Sequence, residues 1–198
     1  RDRSVSRGLG DVYKRQAGYI EMEEKNAQIT VVVVVHNAEV YVERCLNSLM
    51  NQDTRQFRVL LVDDGSQDRS LGICRAAVER MEGAARLIEL PHGGVATARN
   101  YGLEQVETPY VLFLDGDDWL DANTVSNMME IVERSQPEVA VFGFYYESAN
   151  GGQHLRYSHV RLELLTRESI REQFVRLWNS GLMYSCCNLS LIHISEPT

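Results

Sequence analysis

Seven consecutive β-branched residues, Ile29-Thr30-Val31-Val32-Val33-Val34-Val35, leave this chain few ways to fold. Branching at Cβ crowds a helix and suits a pleated strand. Both alternating faces of the run are apolar, so both must be buried, as happens in a parallel sheet covered by helices on its two sides. The run stops at His36-Asn37, and Asn37 is a residue type suited to capping a helix. In the stretch that follows, Val42, Cys45, Leu46 and Leu49 recur at i, i+3, i+4 and i+7, one apolar stripe able to pack on such a sheet.

The same alternation continues. A strand is expected over Phe57 to Val62, a helix from Ser70 to Met81, a strand from Arg86 to Leu90, and a glycine-led helix after Pro91-His92-Gly93-Gly94. Next come a strand ending at Leu114, a helix from Asp121, as its cap, to Ser135, and a strand over Val139 to Tyr146. The turn-rich Ala149-Asn150-Gly151-Gly152 should lead to a strand near Leu155 to Leu164, and Thr166 should cap a helix to Trp178. Strand and helix in alternation imply an α/β fold, a mostly parallel, doubly wound sheet.

Both ends read as foreign to this pattern. Residues 7 to 16 (RGLGDVYKRQ) and 189 to 198 (LSLIHISEPT) can be encoded by one nucleotide string and its reverse complement, which two evolved protein ends have no reason to share. The string resembles a sequencing-library adapter, so residues 1–16 and 189–198 are expected to be adapter-derived and 17–188 to form the domain. The Asn188-Leu189-Ser190 sequon then carries no meaning.

Composition removes several functions. The formal net charge of −8 has no Lys/Arg cluster to offset it, which argues against a nucleic-acid groove. Lys is absent after Lys25, which excludes a Walker lysine or a Schiff base from the domain. Cys45, Cys74, Cys186 and Cys187 lack the spacing of a zinc site and read as reduced thiols in a cytoplasmic protein. The valine run is far shorter than the ~20 residues of a membrane span. Association with the inner face of a membrane through other segments stays open.

The unusual polar residues fall at strand ends: Asn37, Asp63 with Asp64, His92 to Gly94, and Asp115-Gly116-Asp117-Asp118. Parallel strands place those ends on one edge, where open α/β sheets bind ligands. Three carboxylates within four residues repel one another, and a hard cation such as Mg²⁺ or Mn²⁺ relieves that; a solvated acidic turn is the plainer reading. A helix beginning at Gly94 favours an anion, and Arg99 adds positive charge. Carboxylates, a cation and a basic helix start suit a diphosphate, while the lack of Gly-x-Gly-x-x-Gly argues against NAD. Asp63 reads equally as a buried structural carboxylate, His92 as a turn residue or a ligand, and Trp119 as core before sugar platform. A phosphoryl-accepting receiver domain would need a downstream Lys that is missing, and a nucleotidyltransferase a Gly-rich loop after the first strand.

Val31-Val32-Val33-Val34-Val35-His36-Asn37-Ala38-Glu39, Leu61-Val62-Asp63-Asp64-Gly65-Ser66-Gln67-Asp68, Gly93 to Gly102, and Phe113-Leu114-Asp115-Gly116-Asp117-Asp118-Trp119-Leu120 resemble, in order and spacing, the four blocks of family 2 inverting glycosyltransferases. The resemblance implies a GT-A (Rossmann-like) fold and transfer of a sugar from a nucleotide diphosphate, UDP favoured, to a glycan, lipid-linked or polysaccharide acceptor. It implies donor contacts from Val35, His36, Asn37, Glu39, Asp64, Gly94, Arg99, Asp115 and Gly116. Asp115 and Asp117 would form the Asp-x-Asp site for Mn²⁺ or Mg²⁺, with Asp118 beside them or facing the sugar. Pro and Tyr are more usual in the family than the residues around His36. The catalytic base is expected beyond Asn188, since Glu168 and Glu172 sit on a helix that shows them to water. A binding module without catalysis is the alternative.

Overall fold

The computed structural model describes residues 27–141, 145–147, 153–155 and 190–193. Its frame is a sheet built from strands β1 (Ile29–Val35), β2 (Phe57–Asp64), β3 (Ala85–Leu90), β4 (Tyr110–Asp115), β5 (Val139–Val141) and β8 (Ser190–His193), in the order β3-β2-β1-β4-β8-β5. The first four are mutually parallel, and β8 runs antiparallel to both β4 and β5. Helices α1 (Val42–Met50), α2 (Ser70–Arg80), α3 (Val95–Glu104) and α4 (Thr124–Ser135) connect them. Strands β6 (Tyr145–Glu147) and β7 (Gln153–Leu155) pair antiparallel with each other. No helix among the described residues is long and apolar enough to cross a membrane.

The valine run alternates between two cores. Val31, Val33 and Val35 pack with Leu46 and Leu49 of α1, Cys74 of α2 and Val125 and Met128 of α4. Val32 and Val34 join Leu60, Val62, Val111 and Phe113 under Ala98 of α3. The expectation of helices on both faces is therefore met, with three on one side and α3 on the other. Burying each of these side chains contributes about 1.5–3 kcal/mol.

α3 can lie close to the sheet only because Gly102 faces it. A Cβ there would fall 2.7 Å from Val32 Cγ1 and 3.2 Å from Val62 Cγ2. Both neighbours are β-branched and buried, so they have little room to yield. Gly102→Ala is expected to lower stability by about 1–3 kcal/mol through overpacking, despite the better helix propensity of Ala, as read by urea unfolding.

Several boundaries differ from the sequence reading. β2 runs through Asp63 and Asp64, because both stay in register, with Val35 and Leu90 respectively among their partners. Asn37 is not the cap of α1; it adopts φ +48° and its Oδ1 accepts the Gln67 amide at 2.8 Å. Asp121 is not the cap of α4 either. The helix begins at Thr124, whose amide donates to Asp121 O (3.0 Å), while buried Gln52, just past α1, accepts from Val125 N (3.0 Å) and donates to Asp121 O (2.8 Å). Of the strand expected over Val139 to Tyr146, the described residues fall in β5 of the large sheet and β6 of the two-stranded one. β8 falls in the segment read as adapter: backbone pairing is indifferent to side-chain origin, and Ser190–His193 occupies the place between β4 and β5. The helix from Thr166, with Glu168 and Glu172, and Cys186, Cys187, Phe142 and Phe144 lie outside the described residues.

Candidate active site

The sheet order reverses between β1 and β4, the switch point at which open α/β sheets form a crevice. Register brings the polar strand ends level there: Val34 is paired with Asp115 on one side, and Val35 with Asp63 on the other. A cavity of about 330 Å³ opens at this edge, lined among others by Val34, His36, Asn37, Asp64, Asp115 and Asp117. That volume is at the lower end of small-ligand pockets.

Its first wall is the loop after β1. Asn37 N donates to Ser66 Oγ (3.1 Å), Ala38 N to Ser70 Oγ (2.8 Å) and Glu39 N to Asp68 Oδ2 (3.0 Å). The Ser66 to Ser70 segment therefore serves to hold the β1–α1 loop. Glu39 does not line the cavity. Its carboxylate accepts from the Arg69 amide and Nε, both at 3.1 Å, and the Arg69 amide, then its guanidinium, holds Glu39 below its ordinary pKa.

His36 projects into the cavity, and its Nδ1 lies 2.7 Å from the Asp64 carbonyl oxygen. A carbonyl only accepts, so Nδ1 carries the proton and Nε2 accepts from Asn37 Nδ2 at 3.1 Å. The His92 ring stacks on His36 with centroids 4.1 Å apart and planes 20° apart. His92 Nδ1 donates to Asp64 Oδ2 at 2.9 Å.

Asp64 is buried at 1% exposure, and its charge is answered from within the chain. Gly93 N donates to Oδ1 (2.7 Å) and Gly94 N to Oδ2 (2.9 Å). Burial alone would raise its pKa, but the Gly93 and Gly94 amides and the His92 ring outweigh it and hold it below the usual carboxylate range. The anion at the start of α3 is thus this carboxylate, and the Gly94 amide expected for the donor is already engaged. The turn closes because Gly65 takes φ +66° and a Cβ there would sit 2.6 Å from His92 N. Asp63, on the opposite face of β2, accepts from Ser66 N (3.0 Å) with Oδ2 while its buried Oδ1 lacks a hydrogen-bond partner; the structural reading fits it.

The second wall is the end of β4. Gly116 N continues the pairing to Val34 O (2.9 Å), and Asp118 N turns back to Asp115 O (3.0 Å). One carboxylate oxygen each from Asp115, Asp117 and Asp118 lie within 4.8 Å of one another. This all-oxygen set fits Mg²⁺ or Mn²⁺. Partial burial, then the charges of Asp117 and Asp115, push the Asp118 carboxyl up to about 6. Arg99 Nη2 donates to Asp115 Oδ1 at 2.5 Å, with side-chain exposures of 19% and 25%. Arg44 covers the Trp119 ring at 3.3 Å from its centroid, so that face of Trp119 is not a sugar platform.

A raised folded-state pKa means that Asp118 contributes to stability below its unfolded value near 4 and that this contribution is lost as pH rises through about 6. Without divalent cation, Asp118→Asn should therefore raise Tm at pH 7 and leave it unchanged below pH 4, as followed by thermal melts in EDTA. A uniform shift at both pH values would contradict this reading.

Strand alternation could have corrected one expectation. With His36 directed into the cavity, Val34 shares its face and lines it, whereas Val35 is turned into the other core. Tyr41, Ala38 and Val95 also line the cavity without an identifying sequence signal, and Arg99 reaches the edge through Asp115.

A mostly parallel sheet flanked by helices, with a switch-point crevice beside three clustered carboxylates, makes this an α/β domain of the GT-A kind. The chain matches the family described as Glycosyl transferase family 2 over residues 30–194, and it belongs to that family. It is 35% identical over 133 residues to Glycosyltransferase GlyA of Streptococcus pneumoniae serotype 4, covering 67% of this chain and 19% of that protein. S. aureus TarS 1-349 in complex with UDP superposes with a TM-score of 0.53 at 30% identity, covering 57% of this chain and 34% of that one. Its complex with UDP-GlcNAc gives 0.51 at 32% identity over 57% and 33%. The chain spans about a fifth of the length of GlyA.

Proposed function

We propose that this domain binds a UDP-linked sugar through Mg²⁺ or Mn²⁺ and, within a longer protein, transfers the sugar with inversion to a glycan or lipid-linked acceptor. The observation that carries this reading is the juxtaposition, across the β1/β4 switch point, of the His36–Asn37 wall and the Asp115, Asp117, Asp118 cluster. The TarS relatives that hold UDP and UDP-GlcNAc support the choice of uridine.

In this reading the base stacks on the outer face of the paired His36 and His92 rings. Asp64 acts indirectly: its carboxylate fixes the Gly93-Gly94 turn and the His92 ring. The diphosphate lies toward Asp115 and Asp117. At an effective dielectric near 20, each phosphate–carboxylate charge pair ~5 Å apart costs about 3 kcal/mol of repulsion, so the donor needs a counter-charge there. A divalent cation held at this cluster would supply that counter-charge and neutralise the diphosphate as leaving group. Asp115, Asp117 and Asp118 would hold it, and Arg99 stands beside them. Inversion by single displacement requires a carboxylate to take the acceptor hydroxyl proton on the opposite side, and that base is proposed to follow Asn188 in the longer protein. The acceptor end of the molecule, and any seat at a membrane surface in the cytoplasm, belong to that longer protein.

The test is proton NMR of the sugar released or transferred from an α-linked UDP-sugar by this chain and by one extended through the downstream gene sequence. The expected result is slow release of the β-anomer by the short chain and transfer with the β-configuration by the extended one. A first-formed α-product would refute inversion, and full transfer by the short chain would place the base within it.

A further inference from the structure

Arg99 joins two features that the family resemblance kept apart. It was expected beside a diphosphate, yet its guanidinium rests on Asp115 Oδ1 at 2.5 Å, on a carboxylate of the candidate cation cluster. Both side chains are largely withdrawn from solvent, at 19% and 25% exposure, so the charge on Arg99 is less screened than that of a surface arginine. Asp115 is held from the other side as well, since its backbone carbonyl accepts from Asp118 N and faces Cys45 Sγ at 3.7 Å. The carboxylate is therefore fixed in place and already carries one positive partner.

We propose that Arg99 is a built-in counter-cation that makes cation binding depend on the donor. This inference rests on the donor-site reading above. A divalent ion arriving alone meets a fixed positive charge in contact with one of its carboxylates, and it must compete for Asp115 Oδ1. When a diphosphate accompanies the ion, negative charge enters beside the guanidinium, and the same residue turns from repelling the ion to holding the complex. Arg99 thus weakens the empty site for metal and strengthens the filled one. By linkage, the factor by which UDP tightens the metal equals the factor by which the metal tightens UDP. The consequence for a transferase is that Asp115 keeps a positive partner between turnovers, and metal and donor load together. Asp117 and Asp118, which are more exposed, remain for the first encounter with the ion.

The experiment measures free Mn²⁺ by electron paramagnetic resonance, with and without UDP, for the native chain, Arg99→Gln and Arg99→Lys. Gln can still donate to Asp115 without charge, and Lys keeps the charge without the planar fork. UDP is expected to tighten Mn²⁺ binding by the native chain roughly 5- to 150-fold, the usual range of such coupling. In Arg99→Gln the two affinities should move in opposite directions, Mn²⁺ alone tighter by about tenfold and Mn²⁺ with UDP weaker, while Arg99→Lys keeps the native order; an interaction lost for structural reasons would weaken both together. Mn²⁺ alone binding Arg99→Gln no better than the native chain would overturn the proposal. Absence of any Mn²⁺-dependent UDP binding by the native chain would instead refute the donor-site reading, and the proposal with it.

Discussion

Asp117→Asn is expected to weaken UDP binding in Mn²⁺ by roughly tenfold or more, toward the affinity seen in EDTA, while Tm stays within a few degrees of the native value. Asp117 projects from the end of β4 into solvent and lines the cavity. The alternative role for this acidic stretch, capping the next helix, is not realised: α4 starts at Thr124 and its N-cap residue, Asn123, makes no side-chain cap bond. Its carboxylate is one of three gathered within 4.8 Å, so removing one charge leaves the remaining pair a poorer match for a hard cation. Thermal melts and calorimetric titration on the same sample separate the two roles. A large loss of stability with binding intact would make Asp117 a structural residue.

The opposite balance is expected for Asp64. Its buried carboxylate receives the Gly93 and Gly94 amides and the His92 ring, so Asp64→Ala removes the one acceptor that ties the turn and the ring to β2. Losing a charged acceptor of this kind costs about 1.5–3 kcal/mol, a fall of several degrees in Tm for a domain of this size. UDP affinity should fall too, because His92 and the start of α3 lose their anchor, while the dependence on Mn²⁺ persists. The pH response checks the same network. Asp64 has a depressed pKa in the fold, so its contribution is present above the unfolded carboxylate value and is lost as pH falls through the folded one. Asp64→Asn should accordingly reduce the native chain's loss of stability on acidification below about pH 4. Disappearance of the Mn²⁺ requirement in Asp64→Ala would show that Asp64 belongs to the cation site.

The parts of the fold that local patterning dictates were legible in the sequence. The valine run specified a strand buried on both faces, the Val42–Leu49 stripe a helix packed on it, and the polar strand ends the edge that became the cavity. The parts decided by distant groups were not. Asn37 and Asp121 are good capping residues by type. Yet the Gln67 amide claimed the Asn37 side chain, and Gln52, far along the chain, served the start of α4. Glu39 lies in a motif block but is drawn to Arg69, an ion pair no spacing rule reveals. Asp64 and Gly94 were both read as facing the donor, and in the fold they face each other. A carboxylate at a strand end and free amides at a helix start satisfy one another when register brings them together, and only the three-dimensional arrangement shows that it does.

Isothermal titration of UDP into the native chain, once with Mn²⁺ and once with EDTA, tests most directly whether the β1/β4 edge is a cation-dependent nucleoside diphosphate site. The expected result is saturable binding in Mn²⁺ and an affinity weaker by roughly tenfold or more in EDTA, because the carboxylates of Asp115 and Asp117 then repel the diphosphate. Equal affinity under the two conditions would contradict the assignment of the acidic cluster.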